Sequence, residues 1–456
     1  MILTKLLAFI LPLFLGFAVL RRIKLQIGSW ERIALAYPIG LAGATVAVFL
    51  LSIFGIQINA FTVPSAIFLV GLLLIAVDFR DILQNISTEV LLKPLRQLKK
   101  LHLSEVLGLL IIIPMILLSL WRAFYMPVTT YDSIHGIDLM AQAAIADGKI
   151  DSRMYEDLGD VLSTQPYYAP FTALSQIIYR LAGFPFGKVW ISLLFASLLL
   201  TFYLNLRQKL HPAIAVFLTT LLIVIPEMFG YTFLLQTDYS NGVFLSLAVI
   251  YLARYLDENS DGLFWVSALF AAFACWTRSE TIVFVAMTLG LFALLKYSEG
   301  LRSIAGKLAG YFAMSLIAFG IWNLFYLPFV LDYSPESYFA FGFWDLERLQ
   351  TLINGMWLVT LDLNRWSYVL LLFLGGAVVN LLYFKDKKNV FVLLWVIMFI
   401  VTFLVLLYHL QLSLQANINY TYRRGLFKLW PVAVYYLGSS AMLISLSGKI
   451  KKWEDA

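Results

Sequence analysis

The sequence predicts an all-α polytopic membrane protein with about thirteen transmembrane helices. The chain is 61% hydrophobic and only 13% charged, where soluble domains carry about 25% charged residues. Its mean hydropathy is +0.84. Its apolar residues come in runs close to the length that crosses a bilayer as helix.

The runs lie near 2–20, 33–54, 62–79, 105–123, 187–206, 211–229, 238–256, 262–276, 279–296, 308–330, 367–384, 389–409 and 426–447. The first has Lys5 near its start and Arg21, Arg22 and Lys24 after it. It lacks a small-residue cleavage site and its basic flank follows the apolar run, so it reads as a retained helix. The pair 262–276 and 279–296 is short and is split by Trp276-Thr277-Arg278-Ser279-Glu280. The segment 166–182 is amphipathic and is expected to be interfacial or re-entrant. A single cysteine, Cys275, excludes an intrachain disulfide.

Basic residues orient the chain. With the N-terminus outside, Arg21/Arg22/Lys24, Lys93/Arg96/Lys99/Lys100, Lys385/Lys387/Lys388 and Lys449/Lys451/Lys452 all fall on the cytoplasmic side. The net charge of +6 therefore describes sidedness, not nucleic-acid binding. The expected organisation is three N-terminal helices in 1–104, a seven-helix module in 105–331 with its outer loop at 124–186, and a C-terminal module in 332–456.

This topology places every unusual polar cluster on the outer face. These are Asp132, His135 and Asp138 in Tyr131-Asp132-Ser133-Ile134-His135-Gly136-Ile137-Asp138, then Asp238, then Arg278 and Glu280, then Arg423 and Arg424. Ionisable groups at membrane depth are expensive and mark functional sites. Four clusters on one face predict one cavity opening outward.

Tyr131-Asp132 opens an outer loop after a membrane helix, and Gln165-Pro166-Tyr167-Tyr168 comes later in that loop. This arrangement resembles the first outer loop of the GT-C glycosyltransferases, the superfamily of the protein mannosyltransferase-like and aminoarabinose-transferase-like enzymes of the family 39 type. Gln236-Thr237-Asp238-Tyr239 at a span start and the break Trp276 to Glu280 resemble bacterial members. The resemblance covers roughly residues 105 to 430. The large extracytoplasmic domain of oligosaccharyltransferases is absent from the pattern.

The resemblance implies a GT-C fold with amphipathic helices in the first large outer loop. It also implies transfer of a sugar from a polyprenyl-phosphate donor to an acceptor, with inversion, on the extracytoplasmic side of a bacterial inner membrane. The acceptor class stays open between lipid, glycan and protein. The departing phosphate is a stable anion, so such a reaction needs a base for the acceptor hydroxyl and cations for the growing phosphate charge. Asp132 is the expected base. Asp138 is expected to orient the acceptor or pair with a cation. Arg423 and Arg424 are the expected phosphate clamp, because a guanidinium matches phosphate oxygens in a bidentate way. Lys188 is a second phosphate candidate; His135, Asp238, Arg278 and Glu280 are further substrate-binding candidates. The superfamily holds metal-dependent and metal-independent members. No metal ligand set is assigned, since His135 and Asp138 suggest no third ligand.

Each residue also has a plainer reading. Asp132 could cap a helix beginning near Ser133. Asp138, six residues on, is about 240° away at 100° per residue. His135 could be a solvated loop histidine and Asp238 an N-cap. Arg278 and Glu280 could simply pair with each other. Arg423 and Arg424 could anchor at lipid headgroups. The aromatic run Tyr333 to Trp344 could line a groove or belong to the interfacial belt. Asn419-Tyr420-Thr421 matches a glycosylation sequon, a three-letter pattern of little weight. A transporter or flippase of lipid-linked precursors, or a membrane scaffold, would also be polytopic. A transporter should add inverted repeats and midplane breaks, and no repeat is visible.

Overall fold

Every regular element of the described chain is a helix, and no strand is among the described residues. A computed structural model describes residues 2–76, 101–151, 168–297, 300–331, 340, 342, 344–385 and 389–455. The basic cluster Lys93 to Lys100, Lys387 and Lys388, the motif residues Gln165 to Tyr167 and most of the Tyr333 to Trp344 run lie outside the described residues.

Among the described residues six helices are long and apolar enough to cross a membrane, and a seventh arises if one bent pair counts as a span. Five further apolar helices run 10–17 residues. The chain is thus an all-α membrane protein by length and composition. Several expected runs are interrupted for local reasons. The run 211–229 becomes Pro212–Ile223 and Pro226–Gly230. Pro226 lacks an N–H and pushes the preceding residue out of the α region. The run 426–447 breaks at Ser440, whose extended backbone ends one helix and whose hydroxyl caps the next. The helical stretches either side of that break are bent by 52°. The expected span 238–256 is a buried helix, Thr237–Glu258, carrying Asp238, Arg254, Asp257 and Glu258.

The described residues form two compact units, Met1–Asn205 with Tyr231–Thr237, and Leu206–Gly230 with Asp238–Ala456. The first contains α1 (Ile2–Arg22), α2 (Ser29–Ile53), α3 (Thr62–Ala76), α4 (Leu103–Tyr125), α5 (Asp138–Asp147), α6 (Phe171–Leu181) and α7 (Val189–Arg207). Helices α1 and α2 meet backbone to backbone. A Cβ on Gly40 would lie 1.6 Å from the Pro12 carbonyl oxygen, and one on Gly16 would lie 1.8 Å from that of Ala36. Small residues let membrane helices approach this closely where no hydrophobic drive operates between them. Helix α4 starts with a reciprocal cap: the His102 ring accepts from Ser104 N, and the His102 N–H donates to Glu105 at 2.5 Å. Its outward residues, Leu107, Leu110, Ile111 and Leu117, are exposed apolar side chains suited to lipid.

The segment expected to lie at the interface forms α6, which is buried almost all round. Its polar side is turned onto Asp138 rather than towards water, through Gln176 and Arg180. Tyr179 shares a 2.8 Å hydrogen bond with Tyr37 of α2.

The second unit contains α8 (Pro212–Ile223), α9 (Thr237–Glu258), α10 (Asp261–Thr277), α11 (Thr281–Leu295), α12 (Leu301–Gly320), α13 (Leu346–Thr360), α14 (Val369–Leu382), α15 (Val390–His409), α16 (Trp430–Ser439) and α17 (Ala441–Glu454). Helix α10 packs on α12, α11 on α15, and α8 and α14 on α16. A column of aromatic rings runs between α11 and α15, with Phe284 stacked on Phe399 at 4.8 Å and Phe399 on Trp395 at 5.3 Å.

A candidate anion site at a helix break

Three π-helical segments occur among the described residues: Ser133–Ile137, Ile321–Tyr326 and Asn417–Tyr422. Such turns are rare and are frequent at functional sites. Each adjoins residues singled out from the sequence or bonds to the break they form.

In the first unit the π turn comes directly after Asp132. Asp132 has helical backbone angles (φ −55°, ψ −25°) and its side chain makes no capping bond. Tyr131 and Asp132 are already helical, so Asp132 lies within a helix rather than ahead of one. The turn is pinned by Thr130, whose hydroxyl donates to Ser133 Oγ at 2.6 Å, and by the Ser133 hydroxyl, which donates to the Leu235 carbonyl. The extra residue of a π turn rotates the downstream helix by about 100°. This brings Asp138 from about 240° to about 140° from Asp132, still on a different face. Asp138 is almost fully buried. It takes Arg180 Nε at 2.8 Å on one oxygen and Arg180 Nη2 at 2.6 Å on the other. Gln176 and Gln142 donate to the same carboxylate at 2.8 and 2.9 Å. That set of donors satisfies the carboxylate and fixes α6 to α5. His135 is exposed, its ring 4.6 Å from that of Tyr131. Lys188 is buried and donates to the Pro127 carbonyl at 3.0 Å, tying the start of α7 to the segment just after α4.

In the second unit Asp238, Arg278, Glu280 and Arg424 come together. Arg278 lies in the three-residue break between α10 and α11. Its Nη1 contacts Asp238, and its Nε lies 2.5 Å from Glu280. Arg424 reaches the second oxygen of Asp238 at 3.4 Å. Lys428 reaches Glu280 at 3.4 Å. The result is an alternating row, Arg424–Asp238–Arg278–Glu280–Lys428. Arg424 and Lys428 are four residues apart, the spacing that puts two helical side chains on one face. Arg423 pairs separately with Glu227 at 3.1 Å.

The break is built rather than frayed. Asn241 of α9 donates to the Ala274 carbonyl at 2.7 Å and to the Thr281 hydroxyl at 2.9 Å, one on each side of it. Ser279 donates to Asn323 at 2.7 Å, which belongs to the second π turn. The third π turn leads straight into Arg423 and Arg424. Gly425 comes next because a Cβ there would meet the Phe403 ring at 2.4 Å.

Sequence reading missed Lys428, Glu227 and Arg180. Lys428 carries the clearest signal, an ionisable residue inside the run Leu426-Phe427-Lys428-Leu429-Trp430. Glu227 sits just after a helix-starting proline, and Arg180 lies on the polar side of the amphipathic segment.

Chemically, the row carries guanidinium and ammonium donors of the kind that suit an anion. Arg423 and Arg424 are partly accessible, with 20% and 15% of their side chains exposed. Each guanidinium has five N–H donors in a fixed fork, and Arg424 Nε also donates to the Tyr420 carbonyl at 3.2 Å. Comparison with protein-family models, curated proteins and solved structures found no match to this chain.

Proposed function

We propose that the chain is a GT-C-type membrane glycosyltransferase that moves a sugar from a polyprenyl-phosphate donor to a lipid-borne, polysaccharide or protein acceptor. The observation that carries the reading is the largely buried row of cations and carboxylates at a helix break, next to a π turn that delivers Arg423 and Arg424. A soluble-protein explanation of such a row would be surface ion pairing. In a chain this apolar, an intramembrane ion network reads as a functional site by default.

In this reading Arg423 and Arg424 hold the donor phosphate and stabilise the charge that grows on it as the glycosidic bond breaks. Asp132 takes the acceptor's proton while its oxygen attacks the anomeric carbon from the opposite side, inverting it. Asp138, held by Arg180, keeps the helix after Asp132 in place. About thirteen spans, an outside N-terminus and an active site facing away from the cytoplasm of a bacterial inner membrane complete the proposal. A divalent cation remains an open partner.

A flippase for lipid-linked precursors is the second reading. It is favoured by the 52° break at Ser440, since discontinuous helices frame substrate sites in transporters. Membranes expressing the wild-type chain, the Asp132→Asn variant and the Arg423→Ala/Arg424→Ala double variant separate the two. Sugar transfer from a polyprenyl-phosphate sugar that is lost in both variants supports the transferase. Loss of lipid translocation with no transfer by any form supports the flippase.

A further inference from the structure

Trp344 plays no part in the ion row. Its side chain is 54% exposed, yet its ring is stacked on that of Tyr408, with centres 4.3 Å apart and planes 28° apart. One face of the indole is therefore covered and the other is open. A tryptophan of the interfacial belt needs no partner to fix its plane. This one stands on a floor that is held from several sides. The Asp345 N–H donates to the Tyr408 hydroxyl. Arg348 holds its guanidinium 5.4 Å from the centre of the Tyr408 ring and donates from Nη2 to the Leu410 carbonyl at 3.1 Å. The His409 ring meets that of Trp344 edge to face at 5.3 Å. The His409 carbonyl accepts the Ala340 N–H at 3.1 Å.

The exposed groups that accompany the stack are polar. Asp345, Glu347 and Gln411 are all exposed. Asp345 also caps α13, accepting from Glu347 N at 2.9 Å. Two exposed carboxylates within three residues of the ring repel an anionic headgroup, and desolvating them against an acyl tail is costly. They suit hydroxyl groups, which donate to carboxylates. The negative face of the indole attracts C–H bonds. A pyranose offers both, a patch of C–H bonds on one face and hydroxyls around its rim.

The stack is also tied to the turn that leads into Arg423 and Arg424. Asn417, the first residue of that π turn, donates to the Leu407 and Leu410 carbonyls, each at 3.2 Å. Those two residues flank Tyr408 and His409, so one end of α15 both carries the stacked tyrosine and anchors the turn. We propose that the open face of Trp344 is a subsite for a neutral pyranose of a glycan, with the sugar hydroxyls directed to Asp345 and Glu347. The further statement that this glycan is the acceptor rests on the transferase reading. Binding itself is measured without transfer.

The test uses the purified full-length chain in nanodiscs of phosphatidylethanolamine and phosphatidylglycerol. The probes are maltohexaose, cellohexaose, chitohexaose and mannohexaose, titrated by calorimetry. At least one should bind. Loss of an aromatic stacking face is worth roughly tenfold in affinity, so Trp344→Ala should weaken that probe about tenfold. Trp344→Phe keeps a flat ring and should stay within about threefold of wild type. Oxidation by N-bromosuccinimide, mapped by peptide mass spectrometry, reads the site directly. Trp344 should be oxidised in the free chain and spared when the hexasaccharide is bound.

Binding of none of the four probes overturns the proposal, and so does wild-type affinity in Trp344→Ala. Should Trp344→Ala fail to fold, the oxidation pattern decides: a Trp344 that the bound sugar does not protect overturns it. A Trp344 already shielded in empty nanodiscs assigns the indole to lipid and overturns it too. The two readings fail separately. Trp344-dependent binding in a chain that transfers no sugar supports the subsite and sinks the transferase. Sugar transfer by a chain that binds none of the probes keeps the transferase and sinks the subsite.

Discussion

Arg278→Met removes the centre of the ion row. Arg278 contacts Asp238, whose side chain is 5% exposed, and lies 2.5 Å from Glu280. Removing one partner of a buried pair costs about 3–5 kcal/mol, because a buried charge is left uncompensated. Asp238 keeps Arg424 and Glu280 keeps Lys428, each at 3.4 Å. The expected loss is therefore at the low end, about 3 kcal/mol. Asp238→Asn removes one of the stranded charges while keeping the shape. The double variant should then lose about 1–2 kcal/mol less than the sum of the single losses, within the range seen for contacting residues. Denaturant titration in mixed micelles, followed by tryptophan fluorescence, reads all four corners of the cycle. Additivity within about 0.5 kcal/mol would refute the row as a coupled unit.

Asp132→Asn keeps size and hydrogen bonding but removes the proposed base, and sugar transfer should fall about 10²–10⁴-fold with the fold intact; a near wild-type rate sinks Asp132 as the base. Gly40→Ala puts a Cβ where only 1.6 Å separates it from the Pro12 carbonyl oxygen. Overpacking of this kind should cost about 1–3 kcal/mol, and a variant as stable as wild type would contradict the close α1–α2 approach. Arg180→Lys replaces a fork with a point charge, so Asp138 keeps at most one of its two Arg180 bonds. Unfolding free energy should drop by about 1–2 kcal/mol, and no change would mean that Asp138 is held by Gln176 and Gln142 alone.

The helical class was legible because composition and run length report directly on burial in lipid. Breaks were legible only where the chain itself carries the cause. Trp276 to Glu280 interrupts an apolar run with a charge pair, and the structure breaks there. Pro226 and Ser440 break two runs that hydropathy alone joins, since one missing N–H or one hydroxyl cap hardly changes a windowed average. The ionisable residues Asp238, Arg278, Glu280 and Arg424 could each be flagged by their cost in a membrane. Their joining into one row depends on partners 40 to 186 positions apart in the chain, which no local pattern carries. Lys428 fell to the same habit of averaging, a single charge inside an apolar stretch. The π turn after Asp132 was invisible for another reason. It alters phase by one residue, and the local sequence Ser133 to Ile137 has no residue type that demands it.

The most direct measurement is headgroup-labelled sugar transfer in proteoliposomes containing the purified chain and a polyprenyl-phosphate sugar. The proposal expects the label to leave the carrier and appear on an acceptor, with free polyprenyl phosphate accumulating in equal amount and both signals lost in Asp132→Asn. Label that remains on its lipid carrier across a panel of sugars and acceptors, whether or not the lipid crosses the bilayer, would contradict it.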